Sequence, residues 1–180
     1  MVNEEYIIVQ QAVDGNQGAF TQLYNIYFDR IYRYMYVRIR RQDEAQDLTQ
    51  EVFIKALKAI ESYKIGKTPF AAWLFRIAHN QVIDHVRKYK RGMEISLDEA
   101  PPSVGAEDPV AMVEKNFEVA ELKAAMMGLS PAQQEVISLR FIAELPIADV
   151  ARILGKSEGT VKALQFNATI SLRRLLAGRI

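Results

Sequence analysis

An acidic strip from Gly92 to Pro109 divides the 180 residues into two blocks, and its composition works against regular structure across the join. Gly92, Pro101, Pro102, Gly105 and Pro109 interrupt a helix, while Asp98, Glu99, Glu107 and Asp108 favour solvent over a core. Either side of the strip, apolar residues keep helical spacing. Phe20, Leu23, Tyr24, Tyr27, Ile31, Met35 and Ile39 recur every three or four positions, and Val52, Ala56, Ala59 and Ile60 extend the pattern. No stretch alternates with period two long enough for a sheet. The expected architecture is all-α: two small helical domains, residues 1–91 and 110–180, joined by a flexible acidic linker, 92–109.

Charge follows the same division. Residues 1–91 hold 14 Lys and Arg against 10 Asp and Glu, residues 92–127 hold 2 against 8, and residues 128–180 hold 7 against 4. The overall +1 therefore conceals two basic blocks around an acidic connector, which suits two surfaces for a polyanion. Modest segmental charge is common, so this feature needs support from motifs. The absence of cysteine excludes disulfides and thiolate metal sites. Glu4 and Glu5 stand where a signal peptide would carry cations, and no apolar run approaches the roughly 18 residues that cross a bilayer. The expectation is a cytoplasmic protein with no membrane insertion.

Helix starts are marked in both blocks. Thr68 before Pro69 reads as an N-cap and first-turn proline, and Ser130-Pro131-Ala132-Gln133 adds a capping-box glutamine. In the helix from Pro69, the side chains of Phe70, Trp73, Leu74, Ile77, Val82, Ile83 and Val86 can face a core. Arg76, Asn80, Arg87 and Arg91 then fall near one line on the opposite side, with Lys88 and Lys90 beside its end. Such a cationic end suits phosphates, because neutralising them releases condensed counterions; it also suits the negative end of a helix dipole. Asn80 adds a donor and an acceptor that can discriminate between base edges.

Most of the aromatic residues in the first block sit at core spacing. Tyr63 is the best candidate to stack on an unpaired base, because the loop beside it, 64–69, holds Lys64, Lys67 and a glycine. On the segment 43–57, Asp43, Asp47, Gln50 and Glu51 lie opposite Leu48, Val52 and Phe53. Acid there would repel phosphate, so this face fits a basic protein partner, although a first helical turn favours acid in any case.

In the second block, Ile147, Val150, Ala151 and Leu154 share a face, Gly155 permits a tight turn, and Ser157 can cap a following helix whose Val161, Leu164, Ala168 and Leu172 pack inward. That is a helix-turn-helix pattern. Ser157, Glu158, Thr160, Lys162, Ala163, Phe166 and Asn167 are left at its start and outer face, where such motifs meet a major groove. A one-component repressor is the rival reading, with the first block used for dimerisation; it predicts tight duplex binding by the isolated chain. An enzyme is not expected. His79 and His85 are six apart and off one helical face, and no HExxH, phosphate loop or nucleophile elbow occurs. No cofactor or metal is expected either.

The segments 43-DEAQDLTQEVFIKAL-57, 70-FAAWLFRIAHNQVIDHVRK-88, 129-LSPAQQEVISLRF-141 and 151-ARILGKSEGTVKAL-164, in this order, resemble bacterial sigma factors of the small extracytoplasmic-function type within the sigma-70 family. The likeness runs from about Gly15 to Leu176. It implies a subunit that joins core RNA polymerase, reads a minus-35 element of promoter DNA with the second domain and opens the minus-10 element with the first. The family often has an anti-sigma factor, and the resemblance leaves open whether this chain has one. By position, the resemblance assigns Asp47, Gln50 and Glu51 to the polymerase, and Asn80 with the loop Lys64 to Thr68, beside Tyr63 and including Lys67, to an unpaired minus-10 base. Arg87, Lys88 and Arg91 fall at DNA just upstream, and Lys162, Ala163, Phe166 and Asn167 at the minus-35 element.

Two departures stand out. The family's recognition helix usually continues with arginines, where this chain reads 162-KALQFNATISLRR-174, so a weak or unusual minus-35 interaction is expected. Pro146 stands where a capping Ser or Thr is common, so the first motif helix should begin differently.

Overall fold

The structure, a computed structural model, describes residues 4–95 and 121–178, and within them every regular element is helical. Four helices form the first domain: α1 (Glu4–Val13), α2 (Gln17–Ile39), α3 (Gln42–Ala59) with a 3-10 turn at Ile60–Ser62, and α4 (Phe70–Ile95). Asn16 caps α2 by accepting a hydrogen bond from the Ala19 N–H at 3.0 Å. The periodicity places Leu23, Tyr27, Ile31 and Met35 on one buried face, and Tyr34 joins them. Only Arg40 and Arg41 separate α2 from α3, so the two pack as a hairpin, with α1 on α2 and α4 against both.

Helix α4 does not stop at Arg91. It passes through Gly92 to Ile95, because an isolated glycine costs a helix only about 1 kcal/mol and breaks it only where nothing else supports the turn. Residues 96–109 of the expected linker lie outside the described residues. At its start the helix opens at Phe70, and the Trp73 N–H donates to the Pro69 carbonyl, which moves the proline one place out of the expected first turn.

In the second domain the described residues open with a helical stretch, 121–127. It continues with α5 (Pro131–Ile137), a π-helical turn at Ser138–Ile142, α6 (Ile147–Leu154) and α7 (Glu158–Ala177). The capping box read from the sequence is complete: Ser130 Oγ accepts from the Gln133 N–H, and Gln133 Oε1 accepts from the Ser130 N–H. Pro146 stands at the start of α6 with no side-chain cap, as its chemistry requires. Gly155 ends α6 in the left-handed region at φ 61°, which gives the tight turn, and Ser157 caps α7.

The domains touch. Helix α2 packs on the π-helical turn and α4 on α6, so Tyr34 and Phe75 of the first domain share one buried cluster with Leu139 and Leu145 of the second. Arg30 Nη2 donates to the Ala143 carbonyl at 2.5 Å, and Arg40 Nη2 to Gln134 Oε1 at 3.3 Å. The Arg30 guanidinium also lies over the rings of Tyr27 and Phe75.

Candidate nucleic-acid interface

Helix α7 presents its outer side as the periodicity requires. Val161 and Ala168 are buried and Leu164 and Leu172 half-buried, which leaves Ser157, Glu158, Thr160, Lys162, Ala163, Phe166 and Asn167 exposed. Phe166 is 66% exposed, an uncommon cost for a large ring with no ring partner among the described residues. The ring belongs to an open groove of about 320 Å³ along the helix, lined by Lys162, Gln165, Phe166, Thr169, Ile170 and Arg173. The sequence reading placed two of these six at the interface. Arg173 supplies a cation on a helix otherwise poor in arginine before its last turn, and the spacing from Lys162 through Phe166 and Thr169 could have revealed that it continues the row. Gln165 is also fixed from below, since its Oε1 accepts from Arg140 Nε of the π-helical turn at 3.0 Å.

On α4, Arg76, Asn80, Arg87, Lys88 and Arg91 are all exposed, as is Asp84 between them. Arg87 Nη1 lies 3.8 Å from Asp84 Oδ1, a solvent-exposed pair that holds the cation only loosely. Tyr63 behaves differently from an open stacking platform. It is only 8% exposed, packs against Phe70 and Trp73, and donates through its hydroxyl to the Thr68 carbonyl at 2.5 Å, which pins the loop 64–69. Beside the loop lies a cleft of about 340 Å³ formed by Tyr63, Ile65, Gly66, Thr68, Pro69 and Phe70 together with Glu5, Tyr6 and Val9 of α1. Nothing in the local sequence announced that α1 would wall it. Asn80 stands ten residues beyond Phe70, about 15 Å along the helix, so the amide and the cleft address different positions on a strand.

The acidic side of α3 is also supported from beneath. Glu51 Oε2 accepts from Gln81 Nε2 at 2.6 Å, the buried Gln81 amide also accepts from Lys55 Nζ, and Gln50 Nε2 donates to Tyr24 Oη at 3.1 Å. Asp47, Gln50 and Glu51 are exposed, and Ile54 (52%) and Leu57 (51%) continue the same side as exposed apolar residues. Acid and amide followed by bare aliphatic groups make a face fit for a protein rather than for phosphate. Helical spacing could have revealed Ile54 and Leu57; Gln81 is separated by thirty residues and could not be paired with Glu51 from sequence.

His79 lies beneath these surfaces and is no cation on them. His79 is buried with Nδ1 at 3.3 Å from Tyr34 Oη, and burial, helped by the Arg38 charge, pushes its pKa down from 6.5 to about 4. The imidazole is neutral at neutral pH. His85 instead sits 2.9 Å from Glu44, which also pairs with Arg41.

Residues 23–92 match the family model described as Sigma-70 region 2, and residues 125–174 match Sigma-70, region 4. The ECF RNA polymerase sigma factor SigW of Bacillus subtilis (strain 168) is 31% identical over 180 residues, which cover 93% of this chain and 94% of SigW. The chain belongs to the ECF sigma factors of the sigma-70 family. The ECF RNA polymerase sigma factor BldN of Streptomyces coelicolor is 38% identical over 170 residues; these cover 94% of this chain and 64% of BldN. Among solved structures, the sigma factor RpoE of Bartonella quintana, in complex with the anti-sigma factor NepR, superposes with a TM-score of 0.74 at 26% identity, over 88% of this chain and 96% of RpoE. CnrH in complex with the cytosolic domain of CnrY has the same fold, with a TM-score of 0.76 at 24% identity over 98% of this chain and 99% of CnrH. Sigma factors are transcription initiation factors, so this sigma factor serves promoter-specific initiation by RNA polymerase. Among the described residues no helix is long and apolar enough to cross a membrane.

Proposed function

We propose that this sigma factor acts in the cytoplasm, docks on core polymerase through Asp47, Gln50 and Glu51 of α3, reads minus-35 duplex with the outer row of α7, and holds the opened minus-10 strand against the loop 64–69 and α4. The observation that supports this most is the division of labour on one chain: an acid-and-apolar side on α3, and a polar, partly cationic row on α7 whose supporting residues are buried while its outer ones are bare. Tyr63, Lys64, Lys67 and Asn80 serve the unpaired strand, and Arg87, Lys88 and Arg91 the phosphates just upstream. Opening DNA costs about 1.4 kcal/mol per stacked step, so the strand contacts supply part of that and polymerase the remainder. The likeness to RpoE, solved with NepR, supports an anti-sigma factor as a further partner.

Run-off transcription with core polymerase on a randomised promoter pool tests this. A defined start site is expected with the unmodified chain, and at least a tenfold loss with the double variant Gln50→Ala, Glu51→Ala at unchanged helical content. Starts at no defined position would overturn the proposal, and tight duplex binding without polymerase would favour a repressor instead.

A further inference from the structure

The outer side of α7 keeps its charge away from its centre. Opposite the buried Val161 and Ala168 run Gly159, Ala163, Phe166 and Ile170, three or four residues apart and all exposed. None of their side chains carries a charge or a hydrogen-bonding group. The cations stand on the flanks, Lys162 and Arg173 along one and Arg174 along the other, where Thr160 and Asn167 also lie. In a major groove such a helix turns its cations toward the phosphate walls and its apolar centre toward the base-pair floor. The apolar feature of that floor is the thymine methyl group. Gly159 and Ala163 are short enough to let the helix settle close, and the Phe166 ring projects from the same line.

Hydrogen bonding on this part of the helix is left to few groups. Ser157 and Thr160 engage each other through their hydroxyls at 2.9 Å, and Gln165 is tied to Arg140. The Asn167 amide is exposed and has no side-chain partner among the described residues. An amide matches adenine, donating to N7 and accepting from the N6 amino group, whereas guanine offers only the acceptors N7 and O6 on that edge. An A·T pair presents the adenine edge and the thymine methyl together, and Phe166 and Asn167 are consecutive residues. We propose that Phe166 and Asn167 select A·T pairs in the minus-35 duplex, the ring packing on a thymine methyl and the amide making a bidentate contact with an adenine. This rests on the minus-35 part of the reading above and adds the base pairs that it selects. A helix short of arginine, the side chain that suits guanine, thereby keeps a specificity of its own.

The test uses holoenzyme, assembled from the full chain and core polymerase, on minus-35 duplexes of promoters selected from the randomised pool, with affinity read by fluorescence anisotropy. Thymines are replaced one at a time by uracil, which removes only the methyl, and adenines by 7-deazaadenine, which replaces the N7 acceptor with C–H. At least one thymine is expected to lose about threefold with uracil, and at least one adenine about fivefold with 7-deazaadenine. Phe166→Ala should abolish the first loss and keep the second, and Asn167→Ala should do the reverse. Equal affinity for thymine and uracil at every position of the unmodified chain's duplex overturns the role of the ring, and indifference to 7-deazaadenine overturns that of the amide, whether or not the variants fold. Losses that persist at full size in the folded variants overturn both, because the duplex's own deformability then sets the preference. Defined starts with no preference for A·T pairs at minus-35 overturn the proposal and leave the initiation reading standing. Starts at no defined position overturn the initiation reading, and this proposal falls with it.

Discussion

The two surfaces of this sigma factor are built in opposite ways. On the first domain, the proposed interface groups and the cleft beside them rest on buried or half-buried partners: Glu51 on Gln81, Gln50 on Tyr24 and Glu5 of the cleft on Tyr27, each from another helix, and the loop on the adjoining Tyr63. On α7, most of the outer row is held by nothing but the helix itself, with Gln165 the chief exception. For the loop 64–69, the proposed grip on an unstacked strand must resist a flexible ligand and therefore needs fixed walls. A helix entering a groove meets a stiff duplex and can leave its side chains to adjust. Stability and recognition are accordingly coupled in the first domain and separable in the second.

The largest expected effect tests the coupling at its centre. Phe75 is fully buried, meets Tyr34 edge-on at 5.8 Å and lies beneath the Arg30 guanidinium that reaches the second domain. Phe75→Ala should cost about 3–5 kcal/mol in denaturant unfolding and should loosen the contact between domains. A loss below about 1 kcal/mol would show that α4 is not the common support.

Acid supplies a reversible version of the same test. Since the folded-state pKa of His79 lies near 4 and its ordinary value is 6.5, the unfolded chain takes up a proton between those values that the folded chain refuses. Its contribution to stability is whole above pH 6.5 and is lost as pH falls toward 4, with a slope approaching about 1.4 kcal/mol per pH unit. Unfolding measured at pH 7, 6 and 5 should show a shallower fall for His79→Gln than for the unmodified chain. Parallel profiles would mean that the imidazole titrates freely.

The smallest effect on stability falls on the second domain. Phe166→Ala should leave unfolding within about 0.5 kcal/mol, because the ring has little to lose from its own fold. Holoenzyme affinity for a minus-35 duplex, read by fluorescence anisotropy, should nonetheless drop roughly tenfold, toward the low end of a single base-pair contribution of about 1–3 kcal/mol. Equal losses in stability and affinity would erase the contrast between the surfaces.

Much of this was legible in the chain as written. The spacing of Leu23, Tyr27, Ile31 and Met35 names the buried side of α2, and Ser130 with Gln133, Gly155 and Ser157 mark where helices begin and turn, because caps and left-handed positions depend on residues only a few places apart. The exposed row from Ser157 to Asn167 follows from the same local geometry. Gly92 was misleading for the same reason, since a single weak helix former was weighed without the turns on either side of it.

What local spacing determined, then, is the set of helices and the direction in which each side chain points, since an α-helix fixes both within a few residues. Tertiary structure alone decided that Gln81 reaches Glu51, that Glu5 of α1 walls a cleft made by a loop sixty residues later, and that Arg30 bridges to Ala143. Those meetings depend on how helices stack over long separations, where the driving force is burial of apolar surface that no short stretch of sequence contains.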